Sequence, residues 1–287
     1  MQFHQIRGTG LSATVKADGA ELCSLRDAAG RELLWQALPA WPRHAPVLFP
    51  IVGRLKDDRL RHRGQEYRLT QHGFARDRRF AWAETSGASC RLVLQDDAAT
   101  REIYPFAFRF AVEYVAAGDT LSVIYAVTNT GDEMLPASMG AHPAFNWPLA
   151  AGIAKDAHVL QFDADEPAPI RRARDGLIMA ETFPTPIQGR VLKLSEALFA
   201  ANAIILDRVA SRSVRFTAPG APAIEVGWDG FPELGIWMPP GADFLCIEPW
   251  HGMASPVGFD GEFSDKPGLF ILAPGETRAA VHRIRVG

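Results

Sequence analysis

Apolar and polar residues alternate along much of the chain. Phe108, Phe110, Val112 and Tyr114 are interleaved with Arg109, Ala111 and Glu113. Leu121, Val123, Tyr125 and Val127 repeat the pattern after Ala116-Ala117-Gly118-Asp119. A period of two sends successive side chains to opposite faces, so this stretch predicts two half-buried strands joined by a Gly-Asp turn into an antiparallel hairpin. Thr128-Asn129-Thr130-Gly131-Asp132 has the turn chemistry that ends such a strand. The same pattern predicts short strands at 14–15, 21–25, 66–70, 80–84, 91–95, 159–162, 203–206, 214–217, 224–226, 234–238, 244–248 and 279–286. Helical periodicity is weak. Residues 97–104 and 195–201 each predict a turn or two, with Asp97 and Ser195 as N-caps. Many short strands, frequent turns and few helices predict an all-β fold, a large antiparallel β-sandwich. We expect residues 1–287 to form a single domain, with two side-by-side subdomains as the alternative. The Pro- and Arg-bearing stretch 163–189 reads as a long surface excursion.

Composition narrows the function. The chain has 287 residues, 25 Gly and 21 Pro, and a formal net charge of −3 at pH 7. Its isoelectric point near 6.2 argues against nucleic acid, whose binding domains are basic, with pI above about 9. The longest apolar run, from Pro46 to Gly53, falls far short of the roughly 18 residues of a membrane-spanning helix. The residues Met1-Gln-Phe-His-Gln show no basic region leading into an apolar one, so no secretory signal is expected. Cys23, Cys90 and Cys246 are odd in number and far apart, which suits free thiols in a reducing cytoplasm. No CxxC or HExxH spacing is present, so we expect no metal site. Arg outnumbers Lys heavily, an excess spread along the chain that reads first as base composition.

Four segments fit neither plain strand nor plain turn. In Phe49-Pro50-Ile51-Val52-Gly53-Arg54-Leu55, a lone arginine follows an apolar run and a glycine. Gln71-His72-Gly73-Phe74-Ala75-Arg76 sets a histidine in a loop. In Ala141-His142-Pro143-Ala144-Phe145-Asn146, the proline restricts the histidine before it to extended or turn backbone. In Cys246-Ile247-Glu248-Pro249-Trp250, a carboxylate closes an apolar strand, and Pro249 is expected to stop further pairing. Each has a plain reading as well: an ion-pair partner for Arg54, a loop histidine for His72, a core histidine for His142, a turn carboxylate for Glu248. Taken together they describe an apolar, aromatic-lined cleft with a few fixed polar groups, the make-up of a small-molecule site. Trp228, Trp237 and Trp250 lie near Glu248 in the chain, either to stack on a sugar ring or to fill the core.

These segments, in order and across nearly the whole chain, resemble the aldose 1-epimerase (galactose mutarotase-like) family, in particular the branch called LacX-like. The resemblance implies the family's large β-sandwich and the interconversion of sugar anomers without cofactor or metal. It implies that Glu248 is the general base and His142 the general acid, with His72 and Arg54 hydrogen-bonding the substrate. Phe145, Trp228 and Trp250 are implied less directly, as packing for the ring. Where relatives often carry an aspartate for sugar hydroxyls, this sequence has Asn202, with Asp207 as the alternative; asparagine accepts without a charge. That departure bears on which sugar is used more than on the reaction.

The partner expected is therefore a small sugar, with neither nucleic acid nor membrane. Two further readings stay open. Residues 54–79 hold eight arginines and Lys56 against Asp57, Asp58, Glu66 and Asp77, a cluster that can hold the phosphate of a hexose 6-phosphate or be a solvated basic hairpin. A sugar-binding protein on the same sandwich is the non-catalytic reading, since fold alone does not establish activity. A metal-dependent cupin-like enzyme is more remote.

Overall fold

A computed structural model describes residues 2–287. Nine strands form one antiparallel sheet. In spatial order they are Val191–Lys193, Val159–Phe162, Ser213–Thr217, Ile224–Asp229, Thr277–Val286, Thr120–Asn129, Phe108–Ala117, Ser89–Gln95 and Ala81–Thr85. A second sheet runs Ile204–Leu206, Glu233–Trp237, Phe244–His251, Met139–Ala141 and Val47–Leu48, and Ala144–Asn146 also pairs with Phe244–His251. The expected all-β architecture is what the chain adopts. Among the described residues no helix is long and apolar enough to cross a membrane.

The alternation that predicted the central hairpin also sets its register. Phe110 faces Val127, Val112 faces Tyr125 and Tyr114 faces Val123 across the ladder, all buried. Phe49, from the first of the four segments, stacks on Phe110 at 4.7 Å and leans on Phe108 at 4.9 Å. One apolar cluster thus joins the nine-stranded sheet to the segments that precede Arg54.

Asp97 caps a short helix, Ala98–Arg101: the Thr100 N–H donates to its carboxylate at 2.7 Å, and the Thr100 hydroxyl accepts the Asp97 N–H in return. Ser195 precedes a 3-10 turn, Glu196–Phe199, but its side chain caps nothing. Pro249 does not end its strand, which runs on to His251, with Pro249 opposite Leu234. Successive N–H groups of a strand point to opposite neighbours. Ile247 donates to the Pro143 carbonyl, so the Pro249 nitrogen faces that same side. There the neighbouring chain breaks at His142-Pro143, and the ladder needs no donor. The 163–189 stretch is also more than a surface excursion. It carries the small hairpin Ala173–Arg174 with Leu177–Ile178, and Arg171 and Ile178 bridge to Ile205 and Pro256.

His282 is enclosed beside Tyr125, its ring stacked at 5.7 Å and its Nδ1 without a partner. Burial drops its pKa to about 3. The unfolded histidine protonates near 6.5. The neutral ring's contribution is therefore complete above that pH and is lost as pH falls toward the folded value. At pH 5 the unfolded chain gains about 2 kcal/mol from this one proton. His282→Phe is expected to reduce by about that amount the stability lost between pH 7.5 and pH 5, measured by urea unfolding. An identical pH dependence in parent and variant would reject this account of His282.

Candidate active site

A cavity of about 320 Å³ opens on the second sheet, within the size range of small-molecule pockets. Polar lining comes from Gln71, His72, Arg76, His142, Asn202 and Glu248, with Trp41, Trp237 and Trp250 as aromatic walls. Four of the residues expected to bind or react (His72, His142, Glu248 and Trp250) converge here, and Asn202 joins them at the rim.

Glu248 lies on Phe244–His251, opposite Gly235. That glycine leaves room for the Trp250 ring, which lies so close over it that any Cβ there meets the indole. Gly140 on the other flank clears the same ring, its Cβ position being 2.7 Å from Trp250 Cδ1. Two flanking strands thus give up side chains to seat one tryptophan beside the carboxylate. His142 leaves the neighbouring strand just before Pro143, and Trp41 stacks on its imidazole at 5.0 Å while Trp237 meets it edge-on at 5.8 Å. The two rings fix the imidazole plane, with its Nε2 3.1 Å from Glu248 Oε2.

This pair is almost dry: Glu248 is 1% exposed and His142 6%. Burial pushes the carboxyl well above its ordinary value, opposed by the nearby Trp250 indole N–H. Burial, aided by the Arg76 and Arg43 charges, takes the imidazole down to about 3. Both shifts favour uncharged forms. Such an environment favours a proton on the carboxyl beside a neutral imidazole, so one proton can be exchanged between the two groups. Neither Glu248 Oε2 nor His142 Nδ1 makes a hydrogen bond within the protein; the 3.1 Å approach of Nε2 to Oε2 is a close contact without hydrogen-bond alignment.

His72 is held by a reciprocal clamp. Its backbone N–H donates to the Gly53 carbonyl at 2.8 Å, and the Gly53 N–H donates to His72 Nδ1 at 3.1 Å. Nδ1 is thus the acceptor and Nε2 carries the proton, which faces the Gln71 side-chain amide 3.2 Å away, its oxygen being the end able to accept. The residue adopts a left-handed backbone, φ 65°, a conformation costing non-glycine residues about 1–2 kcal/mol. The following Gly73 is also left-handed and lies against the Phe49 carbonyl, where a Cβ would collide. The histidine's pKa lies well below the usual value, through burial first and then the neighbouring His142, Arg76 and Arg43. It is a neutral donor.

Three expected ligand residues are placed elsewhere. Arg54 is tied to Asp58 by bonds of 2.7 and 3.2 Å and packs over Gly176, off the cavity lining. Phe145 and Trp228 are core residues, on Ala144–Asn146 and Ile224–Asp229. Asp207, the alternative to Asn202, is paired with Arg171 at 2.8 Å. Most of the basic 54–79 cluster is similarly spent: Arg54, Arg59, Arg61, Arg63 and Arg79 each lie within 2.9 Å of a carboxylate. Arg76 differs. It donates to the Gln71 carbonyl at 2.7 Å, its buried Nε makes no hydrogen bond and lies 3.7 Å from an Asp77 carboxylate oxygen, and burial and Arg43, opposed by Asp77, lower its pKa to about 10. It lines the cavity, as do Trp41 and Ala173, Gly176 and Ile178 of the 163–189 stretch.

A family profile described as aldose 1-epimerase matches residues 2–284. A protein described as LacX, plasmid, from Lactococcus lactis subsp. lactis is 31% identical over 294 residues, 98% of each chain. The solved structure of a galactose mutarotase related enzyme from Lactobacillus acidophilus is 31% identical and superposes with a TM-score of 0.91, over 99% of this chain and 97% of that one. A galactose mutarotase-like protein from Lactobacillus casei, 29% identical, gives 0.92 over 99% and 100%.

Proposed function

We propose, for a chain that belongs to the aldose 1-epimerase family, that it interconverts the α and β anomers of a hexose or related aldose by opening and reclosing the ring. The observation that carries this reading is the His142–Glu248 pair, 3.1 Å apart on the cavity lining. The anomeric hydroxyl and the ring oxygen share one carbon, so a proton acceptor and a proton donor on one cavity lining can reach both. When the two groups align, the carboxyl proton crosses to the imidazole, giving the working state, a Glu248 carboxylate and a His142 imidazolium.

The carboxylate then removes the proton of the anomeric hydroxyl. The C1–O1 bond becomes a carbonyl, the bond from C1 to the ring oxygen breaks, and the ring oxygen takes the proton from His142. Rotation about C1–C2 presents the other carbonyl face. On reclosure His142 takes back the proton from the hydroxyl that attacks, and Glu248 returns its own to O1. The pair ends as it began. The neutral Nε2–H of His72 donates to the carbonyl oxygen of the open form, where negative charge develops. Acid–base assistance of this kind contributes about 10²–10⁴-fold.

A second reading keeps the chemistry and adds a 6-phosphate to the sugar. Arg76 favours it, as the one guanidinium on the cavity lining among the described residues. Simple sugar binding is less well supported, since a binder has no use for a proton-sharing pair. The test is polarimetry of freshly dissolved single anomers, across aldoses and their 6-phosphates. Faster equilibration than in buffer is expected for at least one. Equal KM for a sugar and its 6-phosphate removes the second reading. Rates no faster than buffer throughout remove both and leave sugar binding.

A further inference from the structure

We infer that His142, Cys246 and Glu248 form a zinc-binding triad, through which a thiophilic divalent cation shuts the site off. Their donor atoms, a ring nitrogen, Sγ and a carboxylate oxygen, all lie within 4.8 Å of one another. No spacing in the sequence announces this set. It arises because Cys246 and Glu248 are two apart on one strand and so share a face, while the His142-Pro143 break brings the imidazole over the same face. Cys246 is wholly buried, and His142 and Glu248 open onto the cavity.

Charge and geometry both suit zinc. Tetrahedral zinc with bonds of about 2.0–2.3 Å holds its donors about 3.5 Å apart, so side-chain shifts on the order of 1 Å complete the set. Binding releases the Cys246 thiol proton and the Glu248 carboxyl proton to solvent. Zn²⁺, thiolate, carboxylate and neutral imidazole then sum to no net charge, as an almost dry site requires. The unpartnered Glu248 Oε2 gains a ligand. Thiolate and imidazole select zinc or cobalt over magnesium and calcium, which prefer oxygen. A fourth position faces the cavity, as in open zinc sites. The metal would occupy both groups that move protons, so inhibition is competitive with sugar; that part rests on the proposed mutarotase reading.

The experiment has two arms. In the first, Co²⁺ is titrated into the parent and into Cys246→Ala, with Cys246→Ser as the second variant should the alanine protein not fold. The parent is expected to show a thiolate-to-cobalt charge-transfer band that is absent from the variants. In the second, zinc is titrated into the polarimetric assay and reversed with a chelator. Cys246→Ala is expected to keep the parent's metal-free rate and to need at least about tenfold more zinc for half inhibition, since changing even residues behind a metal ligand costs 10–100-fold. No cobalt band in the parent, or equal zinc sensitivity in parent and variant, overturns the proposal. A cobalt band in a parent without epimerase activity leaves the metal triad standing and removes the mutarotase reading instead.

Discussion

Glu248→Gln is expected to slow anomer equilibration by about 10²–10⁴-fold while leaving the fold intact. The amide keeps the shape of the carboxyl and loses only its capacity to hold and release a proton. The fold should tolerate it because the site already favours an uncharged side chain there. The pH dependence of stability gives a second readout, one that misfolding would not mimic. A carboxyl whose folded pKa is raised stabilises fully below its unfolded value, near 4.3. That stabilisation is lost as pH rises through the window between the unfolded and folded values. Glutamine has no such loss. Relative to the parent, Glu248→Gln should therefore gain stability as pH rises from 5 to 8, while activity stays low throughout. A variant that equilibrates a fresh anomer as fast as the parent removes Glu248 from the mechanism.

Much of the fold was legible because strands report themselves locally. The hairpin through Phe110 and Val127 needs only a period of two and a Gly-Asp turn. Short or edge strands such as Val47–Leu48 and Met139–Ala141 carry no such signal; they exist because Phe244–His251 offers a ladder to Met139–Ala141, which in turn pairs with Val47–Leu48. Pro249 misleads for a related reason. Proline is forbidden in a strand only where its missing N–H is wanted, and that depends on where the neighbour breaks. The site divides in the same way. His72, His142 and Glu248 sit on backbone fixed by an adjacent glycine or proline, a local signal. Arg54 has the same local look, but its outcome was decided by Asp58, four residues on, which takes the guanidinium. Phe145 and Trp228 show that an aromatic near a motif belongs more often to the core. Trp41 and Arg76 reach the cavity through long-range packing. Arg76 lay inside a segment singled out from the sequence, and its burial without a hydrogen bond for Nε is the feature that marks it.

His142→Asn is expected to cost about 10²–10⁴-fold in equilibration rate, and the double variant with Glu248→Gln is expected to cost no more than the worse of the two alone. One proton serves the pair. With Glu248 alone, the base has nothing to protonate the ring oxygen as it leaves; with His142 alone, the acid has no carboxylate to receive the anomeric proton. Either loss breaks the same relay, so the second loss has little left to remove. Asparagine at 142 is the right probe because it keeps a polar planar group between Trp41 and Trp237. The outcome against the relay is a double variant whose loss is the product of the single losses. Independent action of that kind would make Glu248 a base working with solvent as its acid, and would leave His142 as a positioning residue, held by the two tryptophans to orient the sugar. The pH–rate profile separates the cases further. A shared proton makes the active form a property of the pair, so His142→Asn should change the profile's shape. If His142 only orients the sugar, the variant lowers the profile and leaves its shape as in the parent.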